Sequence, residues 1–318
     1  MSIIVWNRCL SVLNEGIQIT EKEVDRMGSI IEQLINGLRS GSIYALIALG
    51  YTMVYGIAKM INFAHGDIIM VGAYSLYVTI GILKLPVVLG VIITVVVCAV
   101  LGVLIEKIAY KPLRKAPSLA VLITAIGISF LLQSLALLIF KANPIPFKSI
   151  VTLKAVTIGG ITISGVTIVT LGVTFVCMVL LTLFITKTKA GSAMRAVSED
   201  KAAAQLMGIN VNKTISMTFA IGSALAAVAG IMFICQYQSM TPTLGALPGI
   251  KAFVAAVLGG IGSIPGAMIG GLLLGLIESI SKAYISSELA DAIVFSVLVL
   301  VLLVKPSGLL GKNRIEKV

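Results

Sequence analysis

The chain has 318 residues, 58% of them hydrophobic and 12% charged, with a mean hydropathy of +1.09. A soluble domain of this length carries about 25% charged residues, so the composition excludes an ordinary water-soluble globule. The net charge of +11 does not point to nucleic acid, because the lysines and arginines gather in short connections between long apolar runs, where membrane topology places them.

In chain order, residues 1–28 come first and differ in texture, with Glu15, Glu21, Lys22, Glu23, Asp25 and Arg26 ahead of Met27. They read either as a cytoplasmic tail or as sequence upstream of a start at Met27. Apolar segments then follow at about 30–50, 51–63 (broken), 66–83, 87–107, 118–140, 166–186, 214–235, 247–262 (broken), 264–283 and 288–304. A bilayer core needs roughly 20 apolar residues per helix, and several of these runs reach or approach that length. They do not alternate apolar and polar as barrel strands do. The expected fold is an all-α polytopic membrane protein of about 8–10 transmembrane helices. Two broken or re-entrant segments belong to a weak parallel internal repeat. The expected organisation is a tail over 1–28, a permease domain over 29–310 and a cytoplasmic tail over 311–318.

The connections set the orientation. Lys107, Lys111, Arg114 and Lys115 make 107–117 basic, and Lys187, Lys189, Arg195, Lys201 and Lys213 outnumber Glu199 and Asp200 in 187–213. These loops and the basic C-terminal tail are placed in the cytoplasm, with both chain ends on that side. Loop 141–165 falls outside. Its Asn143-Pro-Ile-Pro146 and the Thr/Val/Ile-rich Val151–Ile163 predict a turn and short strands. The cysteines, Cys9, Cys98, Cys177 and Cys235, show no CxxC spacing, so neither a disulfide framework nor a metal centre is implied. No cofactor is expected.

Three stretches carry the functional signal. The first is the break at 62–67, where Asn62, Phe63, His65, Gly66 and Asp67 interrupt apolar sequence and include the chain's one histidine. Ionisable groups are costly in hydrocarbon, and irregular backbone survives there only when protein buries it or it lines a water-filled cavity. The residues therefore either line the pathway or satisfy freed helix ends. Capping by Asn62 and by Asp67 or Gly66 is the favoured reading. The second break contains Gly259, Gly260 and Gly262. It lacks the Gly-Lys-Ser/Thr ending of a phosphate-binding loop. Gly266 and Gly270 instead suit close helix contact. Because this break has no ionisable group, the shared job of both is architectural.

The third stretch is loop 187–213. Ser198 followed by Glu199 and Asp200 predicts an N-cap with acids in the first turn, Ala202–Met207 predicts a short helix, and Gly208 ends it. Ala204, Leu206 and Met207 would face a partner among surrounding charges. The bland alternative is a solvated connector. Of the remaining acids, Glu106 reads as an interfacial residue and Glu278 as one turned toward the bundle interior.

Four blocks in order resemble the permease family of branched-chain amino-acid ABC importers. They are Gly37–Gly56, Asn62–Asp67, Arg195–Asp200 and Leu258–Ser263, and the resemblance spans about residues 28–310. It implies a non-enzymatic subunit of the bacterial or archaeal cytoplasmic membrane that forms half of a translocation pathway for leucine, isoleucine and valine. It also implies a second homologous permease, two separate ATPase subunits and an external amino-acid-binding protein as partners. Loop 187–213 would then contain a coupling helix that seats in the ATPase, with Arg195, Glu199, Asp200, Ala203 and Gly208 as its key residues. Other amino acids, short amides or urea are alternative substrates within that family. An ion-coupled secondary transporter and a membrane scaffold are the readings from other classes.

Overall fold

The computed structural model describes residues 28–311 apart from 115, 159 and 160; the expected tails over 1–28 and 311–318 lie outside the described residues except for Gly28 and Gly311. Helix α1 covers Gly28–Ala58, and α2 covers His65–Leu76 and continues as a wider π-helical turn over Tyr77–Ile82. Helix α3, Val87–Ile105, likewise runs into π-helical Glu106–Tyr110, and α4 is Ser118–Phe140. Short strands β1 (Ile145–Pro146), β2 (Val156–Ile158) and β3 (Ile161–Ile163) precede α5, Gly165–Lys187. Two short helices, α6 (Lys189–Glu199) and α7 (Lys201–Leu206), lead to α8, Val211–Tyr237. Strand β4 (Ser239–Met240), α9 (Ala246–Gly259), α10 (Ile264–Tyr284) and α11 (Ala290–Val304) complete the described order.

Among the described residues, seven helices are long and apolar enough to cross a bilayer, and α9 and α11 are shorter apolar helices. The all-α polytopic fold is therefore present. One boundary differs: segments 30–50 and 51–63 are a single helix, because nothing at Gly50 or Tyr51 breaks the backbone and the chain first leaves helical geometry at Lys59 (φ 59°). One crossing in place of two puts Gly28 at the end of the bundle opposite α6 and α7, contrary to the expected threading.

The core explains the glycine pattern. In hydrocarbon, helices gain little from hydrophobic association, so close backbone packing through small residues holds them together. Helix α1 is buried along most of its length and meets α10 through such residues. A Cβ on Gly41 would stand 2.9 Å from the carbonyl oxygen of Gly271, and one on Gly271 would stand 2.5 Å from the Cα of Ala45. A Cβ on Gly275 would collide with the backbone of Gly41. Helix α8 meets α2 in the same way: a Cβ on Gly230 would lie 2.5 Å from the Ile69 oxygen, and one on Gly72 would lie 3.1 Å from the Cα of Ala227. The opening helix of each repeat unit thus packs on the helix that follows the other unit's break. Helices α1 and α8 run antiparallel, with Gln236 donating to Ser40 at 3.4 Å and Gly50 opposite Gly222. The two units therefore face opposite ways in the membrane, where the sequence reading had them parallel.

Polar side chains add a second layer of contact. Thr174 of α5 donates to the Ser42 carbonyl of α1 at 3.2 Å. Helices α3, α4, α5 and α11 turn large apolar side chains outward, including Val88, Leu119, Phe130, Leu138, Phe175 and Leu303, as lipid-facing helices must. Loop 141–165 forms short strands as expected. The antiparallel β1–β4 pair, however, joins Ile145 to Met240 and Pro146 to Ser239 across some ninety residues of chain, and the local sequence does not signal it.

The α1–α10 contact can be tested directly. Gly275→Ala should lower the thermal midpoint of the detergent-solubilised protein, by about 1–3 kcal/mol of overpacking. Gly127→Ala on α4 meets nothing within 4 Å and should be neutral or gain up to about 1 kcal/mol of helix propensity. Equal effects at the two sites would contradict the packing described.

Candidate functional site

The segment between α5 and α8 is built by consecutive capping motifs. Thr188 leaves helical geometry, and its Oγ1 accepts from the Gly191 N–H at 2.9 Å to start α6. Gly191 itself lies so close to the carbonyls of Phe184 and Ile185 that no side chain fits, which keeps the α5–α6 corner tight. Gly191, Met194 and Val197 form the buried stripe of α6. The Arg195 guanidinium turns back to donate to the Ile185 carbonyl and, at 3.1 Å, to Ser192 Oγ. It therefore clamps the corner of this chain.

Asp200 is the N-cap of α7. Its Oδ1 accepts from Ala202 N–H at 2.7 Å and from Ala203 N–H at 3.1 Å. From the sequence, Ser198 is the expected N-cap. Thr188-capped α6 instead persists through Glu199, and the Ser198 hydroxyl donates to the Arg195 carbonyl at 2.7 Å. The end of α7 matches the expectation. Gly208 has φ +81°, its N–H bonds to the Gln205 carbonyl at 3.0 Å and that of Ile209 bonds to Ala204 at 3.0 Å, a Schellman closure. Ala204 is buried rather than presented, because it faces the bundle, whereas Ala203 is exposed. Leu206 and Met207 are 90% and 82% exposed, so an apolar tip projects from a doubly capped helix. Behind it, Lys201 Nζ donates to the Ala58 carbonyl at 3.0 Å, at the point where α1 ends.

The break between α1 and α2 is a packing junction. Asn62, His65 and Asp67 are all buried. The favoured capping role is not what the structure has. The N-cap of α2 is Ala64, with no side-chain bond, and the His65 N–H is taken by the Asn62 backbone carbonyl at 3.1 Å. The Asn62 side chain instead accepts from Tyr110 Oη at 2.8 Å, and Asp67 accepts from Gln133 Nε2 at 2.9 Å. The His65 ring sits edge-on to Tyr51 at 4.7 Å and fills the space a Cβ on Gly50 would need. Gly66 abuts α9, since a Cβ there would stand 2.5 Å from the Gly245 oxygen and 3.2 Å from the Gly249 Cα. Phe63 packs on Phe253 at 5.6 Å. His65 Nε2 and Asn62 Nδ2 are buried without a hydrogen-bond partner.

The second break is closed from below. Gly260 (φ +103°) and Gly262 (φ +94°) make the turn that only glycine adopts without strain. The Leu309 and Leu310 N–H groups bond to the Leu258 and Gly259 carbonyls at 2.9 and 3.0 Å. The two breaks meet at a cavity of about 10 Å³ lined by Tyr51, Asn62, Phe253 and Ile261, among others. That is room for about one water, far less than an amino acid.

Two buried carboxylates have partners that no local sequence signal gives. Lys251 of α9 bridges Glu278 of α10 at 2.9 Å and Asp291 of α11 at 2.6 Å. Glu278 also receives Lys282 at 2.5 Å and Tyr44 Oη of α1 at 2.7 Å. The interior orientation expected for Glu278 is correct, and the signal for its partner was a lone lysine in the apolar run 246–259. Glu106, expected at an interface, is completely buried, with the Arg114 guanidinium on one oxygen and Ser216 Oγ at 2.5 Å on the other. Arg114 also reaches Asn212, so this knot fastens the end of α3 to the start of α8.

A polytopic bundle with two interrupted segments and a projecting helical tip at its basic end has the architecture of a membrane permease. The family model for the permease component of the branched-chain amino acid transport system matches residues 33–302. The high-affinity branched-chain amino acid transport system permease protein LivH of Escherichia coli K12 is 44% identical over 301 residues, covering 91% of this chain and 97% of the relative. BraD of Pseudomonas aeruginosa, described in the same terms, is 45% identical over 300 residues, covering 91% and 98%. A probable LivH of Methanocaldococcus jannaschii is 31% identical, covering 85% and 89%. The chain belongs to this permease family.

Removing one partner of a buried ion pair leaves an uncompensated charge and costs about 3–5 kcal/mol, whereas replacing both with apolar groups is near neutral. Lys251 keeps Asp291 when Glu278 is neutralised. Glu278→Gln should therefore destabilise the solubilised protein by less than that, about 1–3 kcal/mol. Lys251→Met with Glu278→Met should lose less than the sum of the two single variants. Additive losses in the double variant would contradict the pairing.

Proposed function

We propose that this chain is a permease subunit of an ATP-driven importer of branched-chain amino acids in a bacterial or archaeal cytoplasmic membrane. It forms half of the translocation pathway beside a second, homologous permease. ATP hydrolysis takes place in two separate ATPase subunits, and an external binding protein delivers leucine, isoleucine or valine. The observation that carries this reading is the 44–45% identity to LivH and BraD over 91% of the chain. Paired subunits fit the water-sized cavity within this chain, since a pathway wide enough for a leucine side chain then lies between subunits.

In this proposal α6 and α7 form the coupling helix. Arg195 and Asp200 act from within: Arg195 fixes the α5–α6 corner, and Asp200 fixes the start of α7. Ala203, Leu206 and Met207 supply the apolar contact, Glu199 lies at the end of α6, and Gly208 sets the exit direction. A short helix ending in an apolar tip enters a groove through such anchors. Movement of the ATPase is then passed along two fixed links. One is the Gly191 corner into α5, and the other is the Lys201–Ala58 bond to the end of α1, one residue before the break. Asn62, His65 and Asp67 hold α2 against α1, α3 and α4 at that break, so a shift at Ala58 tilts the interrupted elements together.

Leu206→Ser with Met207→Ser changes only exposed atoms and should leave the thermal midpoint of the subunit within about 0.5 kcal/mol. Co-purification of the ATPase subunits and uptake of labelled leucine should both fall at least about tenfold, the loss of two apolar anchors. Retained ATPase binding with normal uptake would overturn the assignment. Leucine uptake by the subunit reconstituted alone with an ion gradient would instead favour secondary transport.

A further inference from the structure

The last turn of α1 lies against the turn that follows α9, since a Cβ on Gly56 would stand 3.3 Å from the Cα of Gly262. The cavity of about 10 Å³ at this meeting point has Tyr51, Met60, Ile61, Asn62 and Ala256 in its lining, which includes no charged side chain. Three of these residues carry polar groups that the protein leaves unmatched. Asn62 is 2% exposed; its Oδ1 accepts from Tyr110, whereas its Nδ2 is buried and has no hydrogen-bond partner. The Lys59 N–H still bonds to the Tyr55 carbonyl at 3.0 Å, which is the final bond of the α1 ladder. Beyond it, the main chains of Met60 and Ile61 make no hydrogen bond to any described residue. Met60 is buried and Ile61 is half-buried. A buried polar group without a partner costs its full desolvation, so native proteins match such groups with protein atoms or with ordered water. Here the unmatched groups belong to residues that line one cavity.

We propose that a single water molecule occupies this cavity, accepting from Asn62 Nδ2 and pairing with the main-chain groups of Met60 and Ile61. The space is that of about one water, and a buried water takes about two to four polar partners, which these groups supply. A sodium or potassium ion suits the site poorly. The lining offers it no carboxylate, and the Asn62 Nδ2 hydrogens present positive partial charge to it. An anion would find no cation there. Water both accepts and donates, as this mixture of a side-chain amide and free main-chain groups requires. It extends the Tyr110–Asn62 bond into a chain that runs from the end of α3 to the main chain of the first break. That chain ends two residues beyond Ala58, where Lys201 fastens α7 to the end of α1. The site itself does not depend on the function proposed above.

The test uses the full chain in neutral detergent and a brief synchrotron X-ray pulse, which converts bound water to hydroxyl radicals where it sits. Oxidised side chains are then read by mass spectrometry. Tyr44 and Tyr51 are both on α1 and both 4% exposed, but Tyr51 lines the cavity and Tyr44 does not. Tyr51 should therefore be oxidised severalfold faster than Tyr44. Equal rates would overturn the proposal, and this comparison needs no variant to fold. Ala256→Val puts extra methyl groups on the cavity wall and should bring Tyr51 down to the rate of Tyr44, with the thermal midpoint confirming that the variant is folded. An unchanged Tyr51 rate in the folded variant would place the source of labelling in bulk water and would also overturn the proposal. So would a Tyr51 rate that drops when sodium replaces choline in the buffer, which would assign the cavity to a cation.

Discussion

Helix α1 can lie at the centre of this bundle only because its neighbours come close enough to touch its backbone. Lipid tails are as apolar as leucine, so burying leucine between helices gains little, and the dispersion and carbonyl contacts of close approach must hold the bundle. Gly37 and Gly41 on α1 face Gly271, Gly275 and Leu276 on α10, and Gly72 and Gly230 give α2 and α8 the same kind of seam. The remaining features follow from this geometry. With α1 and α8 fixed, the segments after them must turn within the bundle. The turns at 59–64 and 260–263 are the two breaks; Met60, Asn62, Ala64 and Gly260 are buried in them, whereas Lys59 and Gly262 are exposed.

This seam also explains where charge is tolerated. Glu106 and Glu278 are buried, but each receives donors from more than one element, so the cost of desolvation is offset by bonds that also fix the helices' relative positions. The Lys251–Glu278–Asp291 group joins α9, α10 and α11 toward the end remote from α6 and α7. The Glu106–Arg114–Ser216 group joins α3 and α8 at the near end. Between them, the breaks meet at a water-sized cavity. The bundle is thus fastened at both ends, and its interrupted segments pack on one another around that small cavity.

Much of this was legible in the sequence wherever the cause is local. The long apolar runs, the glycine seam around Gly270, the short helix ending at Gly208 and the existence of two breaks, at 59–64 and 260–263 where 62–67 and 258–263 were expected, each rest on residues within a few turns of one another. The misreadings share a cause as well. Asp200 lost the N-cap role to Ser198 on paper because both residues have capping side chains, and only the persistence of α6 through Glu199 decides between them. Asn62 and Asp67 have the chemistry of caps, but Tyr110 and Gln133, 48 and 66 residues away, take their side chains. Glu106 looked interfacial because Ser216 is 110 residues distant, and Lys251 had no visible partner until α10 and α11 folded onto α9. Strand β1 finds β4 in the same way. Long-range pairing of polar groups leaves no periodic trace in a sequence, whereas burial and backbone geometry do.

In the proposed coupling, motion in a separate ATPase enters this subunit at the tip of α7. A photo-crosslinking side chain at position 207, introduced into the assembled transporter, tests it most directly. An adduct with the ATPase subunit should form at position 207 but not at lipid-facing position 303. An adduct with the external binding protein, or equal labelling at the two positions, would contradict it.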